Sequence, residues 1–206
     1  MSDMQQYWDT IYLNKQPSEV SWTQAVPRTS LDFIHAAHLD KKAGIIDIGG
    51  GDSRLVDFLL DESYENISVL DISEKALNKA KQRLGGKAGK VNWIVSDITE
   101  FQPTVSYDFW HDRAAFHFLT TAAQIAKYLS TARQAIKENG TITLGTFSNN
   151  GPKKCSGLTV QQYTEATLAT ELQNGFKKTR CITEDHITPF NTIQNFLFCS
   201  FMRYKD

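Results

Sequence analysis

The sequence predicts a single α/β domain, in which helices cover both faces of a doubly wound, mostly parallel β-sheet. Three observations carry this prediction. The chain has 206 residues, of which 41% are hydrophobic, enough to bury the core of one large domain. Short apolar runs alternate with segments whose apolar residues recur every three or four positions, as strands and helices do. About ten residues join the last two strands, too few for a helical crossover.

The apolar pattern assigns the elements in order along the chain. Short apolar runs bounded by turn residues predict strands at 44–48, 67–70, 91–95, 107–110, 141–147, 176–183 and 195–202. Helical spacing predicts helices at 28–40, 54–60, 73–84, 122–138 and 160–174. The helix at 73–84 has clear ends, because Ser73 is a suitable N-cap and Gly85-Gly86 stops it. Because the connection at 184–193 is short, the final strand should run antiparallel to the others.

Composition and charge disfavour several classes of function. Lys and Arg number 22 against 23 Asp and Glu, which gives a net charge of −1 and disfavours a nucleic-acid partner. No apolar stretch is long enough to span a membrane, and the N-terminus lacks a signal-peptide pattern. Cys155, Cys181 and Cys199 have no CxxC spacing, so we expect unpaired cysteines, no metal site and a reducing cytoplasm. The oligomeric state is not readable from the sequence.

A glycine-rich loop follows the first strand, in the segment IIDIGGGDS at 45–53. Gly49, Gly50 and Gly51 allow a tight turn and let a ligand approach the backbone closely. Asp71 follows Gly49 by 22 residues, where a carboxylate can accept both ribose hydroxyls of an adenosine cofactor. Asp97 follows the third strand, where its side chain can reach an adenine edge. Together these features predict a nucleoside-type cofactor site.

Two classes of cofactor fit such a site, and the loop favours one. Dinucleotide sites prefer G-x-G-x-x-G, because a pyrophosphate binds at the helix N-terminus. Here Arg54 takes the third glycine position, and Asp52 would repel a pyrophosphate. S-adenosylmethionine has no phosphate and carries a sulfonium cation, which tolerates an acidic residue in the turn. We therefore expect S-adenosylmethionine rather than NAD.

The motifs resemble those of the class I S-adenosylmethionine-dependent methyltransferases over roughly residues 40–202. IIDIGGGDS, VLDIS, VSDITEF, SYDFWHDR and IKENGTITLGTF resemble the family's motifs at the first five strands, with Ser53 replacing the usual last glycine. The resemblance implies a Rossmann-like, seven-stranded sheet of order 3-2-1-4-5-7-6 with strand 7 antiparallel. We expect one domain over 1–206, with an N-terminal arm at 1–27 and a core at 28–206. We expect the cofactor to be held by Asp47, Gly49, Gly50, Gly51, Asp71, Ile72, Asp97, Ile98 and Trp22.

Three predicted loops, at 110–113, 148–158 and 184–193, leave the carboxyl ends of strands, where open parallel sheets bind ligands. His111 and His186 are the candidate catalytic bases, because histidine titrates near neutral pH. His111 is alternatively a residue that only holds its turn. Arg113 is a candidate either to bind an acidic substrate or to pair with a carboxylate. Cys155 is assigned to the substrate site, with an ordinary loop position as its alternative.

The N-terminal arm is rich in aromatic residues. Two interpretations stay open: a helix that packs on the domain edge, and a lid that closes over cofactor and substrate to exclude water. In the second, Trp8 and Tyr12 contact substrate, and with Trp22 they form an apolar wall around the sulfonium by cation–π attraction.

Taken together, the sequence predicts a cytoplasmic S-adenosylmethionine-dependent methyltransferase that acts on a small molecule, without a membrane, metal or nucleic-acid partner. Segments such as WHDRAAFHFL and TFSNNGPKKCSGL resemble more closely a small bacterial group of methyltransferases whose substrate is unassigned. A protein lysine side chain is the second choice of acceptor. A non-catalytic S-adenosylmethionine-binding module and an NAD-dependent oxidoreductase remain the rivals from other classes.

Overall fold

A seven-stranded sheet forms the centre of the protein, which we describe from a computed structural model over residues 2–205. Its strands are β1 Gly44–Ile48, β2 Asn66–Asp71, β3 Val91–Val95, β4 Tyr107–Arg113, β5 Ile136–Phe147, β8 Phe176–Ile187 and β9 Ile193–Arg203. A separate pair, β6 Lys154–Cys155 and β7 Leu158–Thr159, lies between β5 and β8 in the chain. The helices are α1 Asp3–Asn14, α2 Arg28–Ala36, α3 Leu55–Asp61, α4 Glu74–Leu84, α5 Ala122–Ala135 and α6 Glu165–Leu172.

The sheet order is β3-β2-β1-β4-β5-β9-β8. The first five strands pair in parallel, whereas β9 runs antiparallel to both β5 and β8. When the seven strands of this sheet are counted along the chain, the order is 3-2-1-4-5-7-6. The predicted doubly wound sheet and its antiparallel last strand are therefore confirmed.

The core consists of two apolar clusters, because successive strand residues point to opposite faces of the sheet. Ile45 packs in the cluster that contains Leu31 of α2 and Leu55 of α3. Its neighbour Ile46 packs in the other cluster, with residues of α5 and α6 such as Tyr128. This alternation places helices on both faces of the sheet, as the sequence predicts.

Three helices are shorter than their apolar spacing predicts. The segment 28–40 leaves the helix after Ala36, and His38 takes a positive φ of 49°. The segment 122–138 becomes strand at Ile136, whose buried side chain and pairing with Tyr107 belong to the sheet. In the segment 160–174, the amide of Tyr163 donates to Phe147 in a strand-like contact, and the helix starts only at Glu165.

Three strands, β4, β8 and β9, extend into segments predicted as loops, which corrects the loop assignments of several candidate site residues. Residues 111–113 belong to β4 and pair with β1 and β5. Their buried polar side chains have partners, since His111 contacts Asp47 of β1 and Asp112 accepts from the hydroxyl of Tyr128 of α5. Residues 184–187 belong to β8 and 193–203 to β9, so the connecting turn is confined to 188–192. The predicted loops at 110–113 and 184–193 are therefore mostly sheet.

The cysteines also differ from expectation. Cys181 and Cys199 lie directly opposite each other on β8 and β9 and form a disulfide, with their Cα atoms 4.2 Å apart. Cys155 is free and buried. The prediction of three unpaired cysteines is wrong, because the hairpin register, which the spacing of cysteines in the sequence does not reveal, brings two of them together.

Among residues 2–205, no helix combines the length and the apolar character needed to cross a bilayer.

Candidate functional site

The glycine-rich loop between β1 and α3 has almost no room for side chains. Gly49 has a φ of 64°, and a Cβ there would come within 2.5 Å of the Cβ of Ala115. A Cβ on Gly50 would lie 2.6 Å from Cγ1 of Val69 and 2.7 Å from Oδ2 of Asp47. The loop backbone can therefore approach a ligand closely, as the sequence predicts.

The first cavity, of about 380 Å³, lies beside this loop at the carboxyl ends of β2 and β3. Asp71, Ile72, Asp97 and Ile98 line it together, as the sequence predicts for an adenosine site. The Oδ1 atom of Asp71 accepts a hydrogen bond from the amide of Ser73 at 2.7 Å. Burial, more than the nearby carboxylates, raises the pKa of Asp71 to about 7. Asp71 is thus poised to accept hydrogen bonds from a diol when it is deprotonated.

A second cavity, of about 270 Å³, lies on the other side of the loop and is lined by Asp47, Gly49, Gly50 and His111. Nδ1 of His111 lies 2.7 Å from Oδ1 of Asp47, so the ring donates its Nδ1 proton to the carboxylate. The opposite atom, Nε2, is buried and has no hydrogen-bond partner among residues 2–205. The Oγ atom of Ser30, also in this wall, is equally buried and unpartnered within the same range.

These unpartnered atoms test whether the site fits the amino-acid end of S-adenosylmethionine. A neutral imidazole nitrogen accepts a hydrogen bond, which suits an ammonium group, and a hydroxyl donates one, which suits a carboxylate. Buried polar groups normally have partners, so a ligand that supplies both groups satisfies them. The polar groups of the two cavities are therefore of the kinds that the adenosine and amino-acid ends of S-adenosylmethionine require.

Arg113 stands where the two cavities meet. Within residues 2–205, four residues line both cavities, namely Tyr12, Trp22, Gly49 and Arg113. The guanidinium of Arg113 donates to the carbonyl of Trp22 at 2.9 Å and lies 4.7 Å from the centre of the Phe196 ring. Burial lowers its pKa to about 10, so it stays charged at neutral pH.

The N-terminal arm covers the first cavity. Asp9 of α1 accepts from the hydroxyl of Ser73 at 2.6 Å and from the amide of Lys75 at 3.2 Å, at the start of α4. On the opposite side, the hydroxyl of Tyr7 donates to the carbonyl of Ser156. The middle of helix α1 is therefore held on two sides, by the contact of Tyr7 with Ser156 and by those of Asp9 with the start of α4.

The inner face of the arm is aromatic. The ring of Trp8 packs edge-on against Trp22 and Phe118, with ring centres 5.9 and 5.2 Å apart. Met4, Trp8, Tyr12 and Trp22 all line the first cavity. The aromatic side chains of the arm therefore line one cavity together, and Phe118 joins them although the sequence analysis did not name it.

The two candidate histidines lie apart. His111 lines the second cavity, whereas His186 lines neither. Nε2 of His186 donates to the carbonyl of Ser21 at 2.7 Å, and burial lowers the pKa of its ring. His186 is placed to hold the arm, at the residue next to Trp22.

Cys155 lines the first cavity, but its thiol is not activated as a nucleophile. Burial raises the pKa of Cys155 to about 11, so it is protonated at neutral pH.

The pairing of Asp47 with His111 was missed by sequence reasoning. The adjacency of the first and fourth strands in the expected sheet order was the signal that could have found it.

Comparisons with known proteins relate part of the chain to methyltransferases. A family model described as a methyltransferase domain matches residues 46–142. The chain is 29% identical over 107 residues to malonyl-[acyl-carrier protein] O-methyltransferase 2 of Ilyobacter polytropus, covering 52% of this chain and 40% of the relative. It is 28% identical over 102 residues to N-terminal Xaa-Pro-Lys N-methyltransferase 1-A of Xenopus laevis, covering 48% and 45%. The chain thus spans less than half the length of these curated relatives.

Solved structures share the whole fold. One, from work on the conversion of a disulfide bond into a thioacetal group during echinomycin biosynthesis, has a TM-score of 0.80 at 14% identity and covers 98% of this chain and 93% of its own. Another is 1,6-didemethyltoxoflavin-N1-methyltransferase of Burkholderia thailandensis with bound 1,6-didemethyltoxoflavin and S-adenosylhomocysteine. Its TM-score is 0.69 at 18% identity, covering 98% and 85%.

The fold is that of the class I S-adenosylmethionine-dependent methyltransferases, and residues 46–142 match the methyltransferase domain.

Proposed function

We propose that this protein transfers a methyl group from S-adenosylmethionine to a small molecule. The observation that carries the proposal is the pair of adjoining cavities, one with the acids of an adenosine site and one with unpartnered polar atoms. The first cavity extends past the adenosine-site residues to Trp8, Phe118 and Leu158 under the arm. This covered, mostly apolar extension favours an acceptor of small size.

Bound S-adenosylmethionine supplies a methyl group on a positively charged sulfur. In our proposal, Asp71 and Asp97 hold its adenosine end, while His111 and Ser30 hold its amino-acid end. Asp47 acts through His111, because its carboxylate fixes the proton on Nδ1 and leaves Nε2 as an acceptor. The arm excludes water and restricts the acceptor to one approach, so that most of the rate comes from positioning.

Calorimetric titration with S-adenosylmethionine, S-adenosylhomocysteine and NAD tests the cofactor assignment. We expect both sulfur ligands to bind in the micromolar range and NAD not to bind. The Asp71→Ala variant should lose most of the affinity, because the ribose then has no carboxylate partner. Wild-type affinity in that variant, or binding of NAD alone, would contradict the proposal.

Protein substrates form the second candidate, since one similar protein is an N-terminal Xaa-Pro-Lys N-methyltransferase. A polypeptide acceptor must reach the first cavity past α1. Removal of residues 1–24 should then raise the rate on a lysine peptide, whereas it should lower the rate on a small acceptor that needs the arm. The same truncation should weaken cofactor binding if the arm is a lid.

A rival without catalysis remains testable in the same samples. A binding module would take up S-adenosylmethionine but never convert it to S-adenosylhomocysteine in a cell extract.

We also propose that the protein works in the cytoplasm, where its cofactor is made. In that compartment glutathione and thioredoxin favour the reduced form of the Cys181–Cys199 pair.

A further inference from the structure

Arg113 carries a buried positive charge that no salt bridge among residues 2–205 pairs directly. One guanidinium nitrogen donates to the Trp22 carbonyl, but Nε and a second Nη are buried without hydrogen-bond partners among residues 2–205. No carboxylate forms a salt bridge with Arg113 within that range, although the charges of Glu184 and Asp47 act on it and raise its pKa. A buried charge without a partner is costly, so the site is built for an anion that binds from outside.

The position of Arg113 narrows the choice of anion. The proposed cofactor places its sulfonium between the adenosine and amino-acid ends, which is where Arg113 and Gly49 line both cavities. A sulfonium beside a guanidinium brings two positive charges together. That arrangement is favourable only when an anion lies between them, and carboxylates match the planar guanidinium in bidentate pairs.

Among residues 2–205, the lining of the first cavity offers no free base to an acceptor once Asp71 and Asp97 hold the adenosine. Its titratable side chains are those of Tyr12, Asp71, Asp97, Arg113 and Cys155. Burial raises the pKa of Tyr12 well above its usual value and that of Cys155 to about 11, so both are protonated at neutral pH. Asp71 and Asp97 belong to the adenosine site. An acceptor that enters already ionised needs no base.

We propose that the methyl acceptor is a small carboxylic acid, that its carboxylate binds Arg113, and that this carboxylate becomes a methyl ester. The inference rests on the proposed methyl-transfer function. A carboxylate oxygen forms the new bond to the methyl carbon, the carbon–sulfur bond breaks, and its electron pair stays on sulfur. No proton moves, and the products are the ester and S-adenosylhomocysteine. The apolar part of the acid packs against Trp8, Phe118 and Leu158.

The first test measures binding without turnover. Protein saturated with S-adenosylhomocysteine is titrated with benzoate and with its neutral counterpart benzamide. We expect benzoate to bind more tightly than benzamide, and Arg113→Gln to weaken benzoate at least tenfold while leaving benzamide unchanged. Arg180→Gln is the matched control, because Arg180 also stacks on a phenylalanine, Phe33 at 4.5 Å, but lines neither cavity. Equal benzoate affinity in wild type and Arg113→Gln overturns the proposal.

Further measurements distinguish whether Arg113 binds the carboxylate of the acceptor or that of the cofactor. If Arg113 instead holds the carboxylate of the cofactor, Arg113→Gln weakens S-adenosylhomocysteine but not 5′-methylthioadenosine, which lacks the amino-acid end, and the proposal fails. Arg113→Lys keeps the charge should the glutamine variant not fold, and we expect an intermediate loss of benzoate binding. Failure of the wild type to bind S-adenosylhomocysteine contradicts the proposed function itself.

The second test identifies the product bond. With methyl-labelled S-adenosylmethionine and a panel of aromatic carboxylic acids and their amides, the label should enter the acids and be released as methanol by alkali. Label that resists alkali, label in the amides alone, or no label in any acid overturns the proposal.

Discussion

The sharpest structural prediction concerns Gly50, because its φ is negative and a substitution there meets a purely steric obstacle. In Gly50→Ala, the new Cβ would lie 2.6 Å from Cγ1 of Val69 and 2.7 Å from Oδ2 of Asp47, both closer than real Cβ contacts come. Both neighbours belong to buried strands, and Asp47 is also held by His111, so displacing either side chain costs stability. Overpacking of this kind costs about 1–3 kcal/mol.

The assay is thermal unfolding, where each kcal/mol shifts the midpoint by about 2–4 °C for a domain of this size. Gly86→Ala is the matched control, because a Cβ there meets nothing within 4 Å and its φ is not positive. We expect Gly50→Ala to lower the midpoint by at least about 2 °C and Gly86→Ala to leave it equal or slightly higher. Equal unfolding midpoints in the two variants would refute the argument that Val69 and Asp47 leave no room for a side chain at Gly50.

Because the Gly50 clash pushes on Asp47, the same variant should also weaken S-adenosylhomocysteine. The carboxylate of Asp47 fixes the ring of His111, and a displaced carboxylate leaves that ring misplaced. Affinity for 5′-methylthioadenosine, which does not reach the second cavity, should fall less. Equal losses for the two ligands would show that the loop as a whole has moved.

Three further predictions follow from other contacts. Affinity for S-adenosylhomocysteine should fall as the pH drops below about 7, approaching tenfold per pH unit, because protonation removes an acceptor from Asp71; an unchanged slope in Asp71→Asn would contradict this. Asp9→Ala should raise hydrogen exchange in α1 without changing exchange in β1, since its bonds to Ser73 and Lys75 hold the helix; protected α1 amides would contradict it. Reduction of the Cys181–Cys199 disulfide, which joins residues 18 apart, should remove about 3 kcal/mol of stability; a midpoint insensitive to dithiothreitol would show that the bond does not form in solution.

The sequence by itself determined the sheet and its cofactor edge. Each strand and helix is encoded within about ten residues by apolar spacing, so Gly44–Ile48, Val91–Val95 and the Ser73 cap were predicted with the bounds that the structure has. The antiparallel last strand followed from the short connection, which a helix cannot bridge. Asp71 and Asp97 follow strand ends, which parallel pairing brings to one edge of the sheet.

Only the tertiary structure decided what the polar side chains at that edge do. Asp47 and His111 meet because β1 pairs with β4 in one register, and Cys181 meets Cys199 for the same reason on β8 and β9. The apolar pattern could not show that β4 continues through Arg113, because the residues that extend the strand are polar. Such residues can be buried in a strand only where neighbouring elements supply hydrogen-bond partners for their side chains. Pairings between segments far apart in the chain depend on strand register and burial, and no local sequence pattern contains either. These long-range pairings leave the buried guanidinium of Arg113 without a salt bridge and place His186 against the arm.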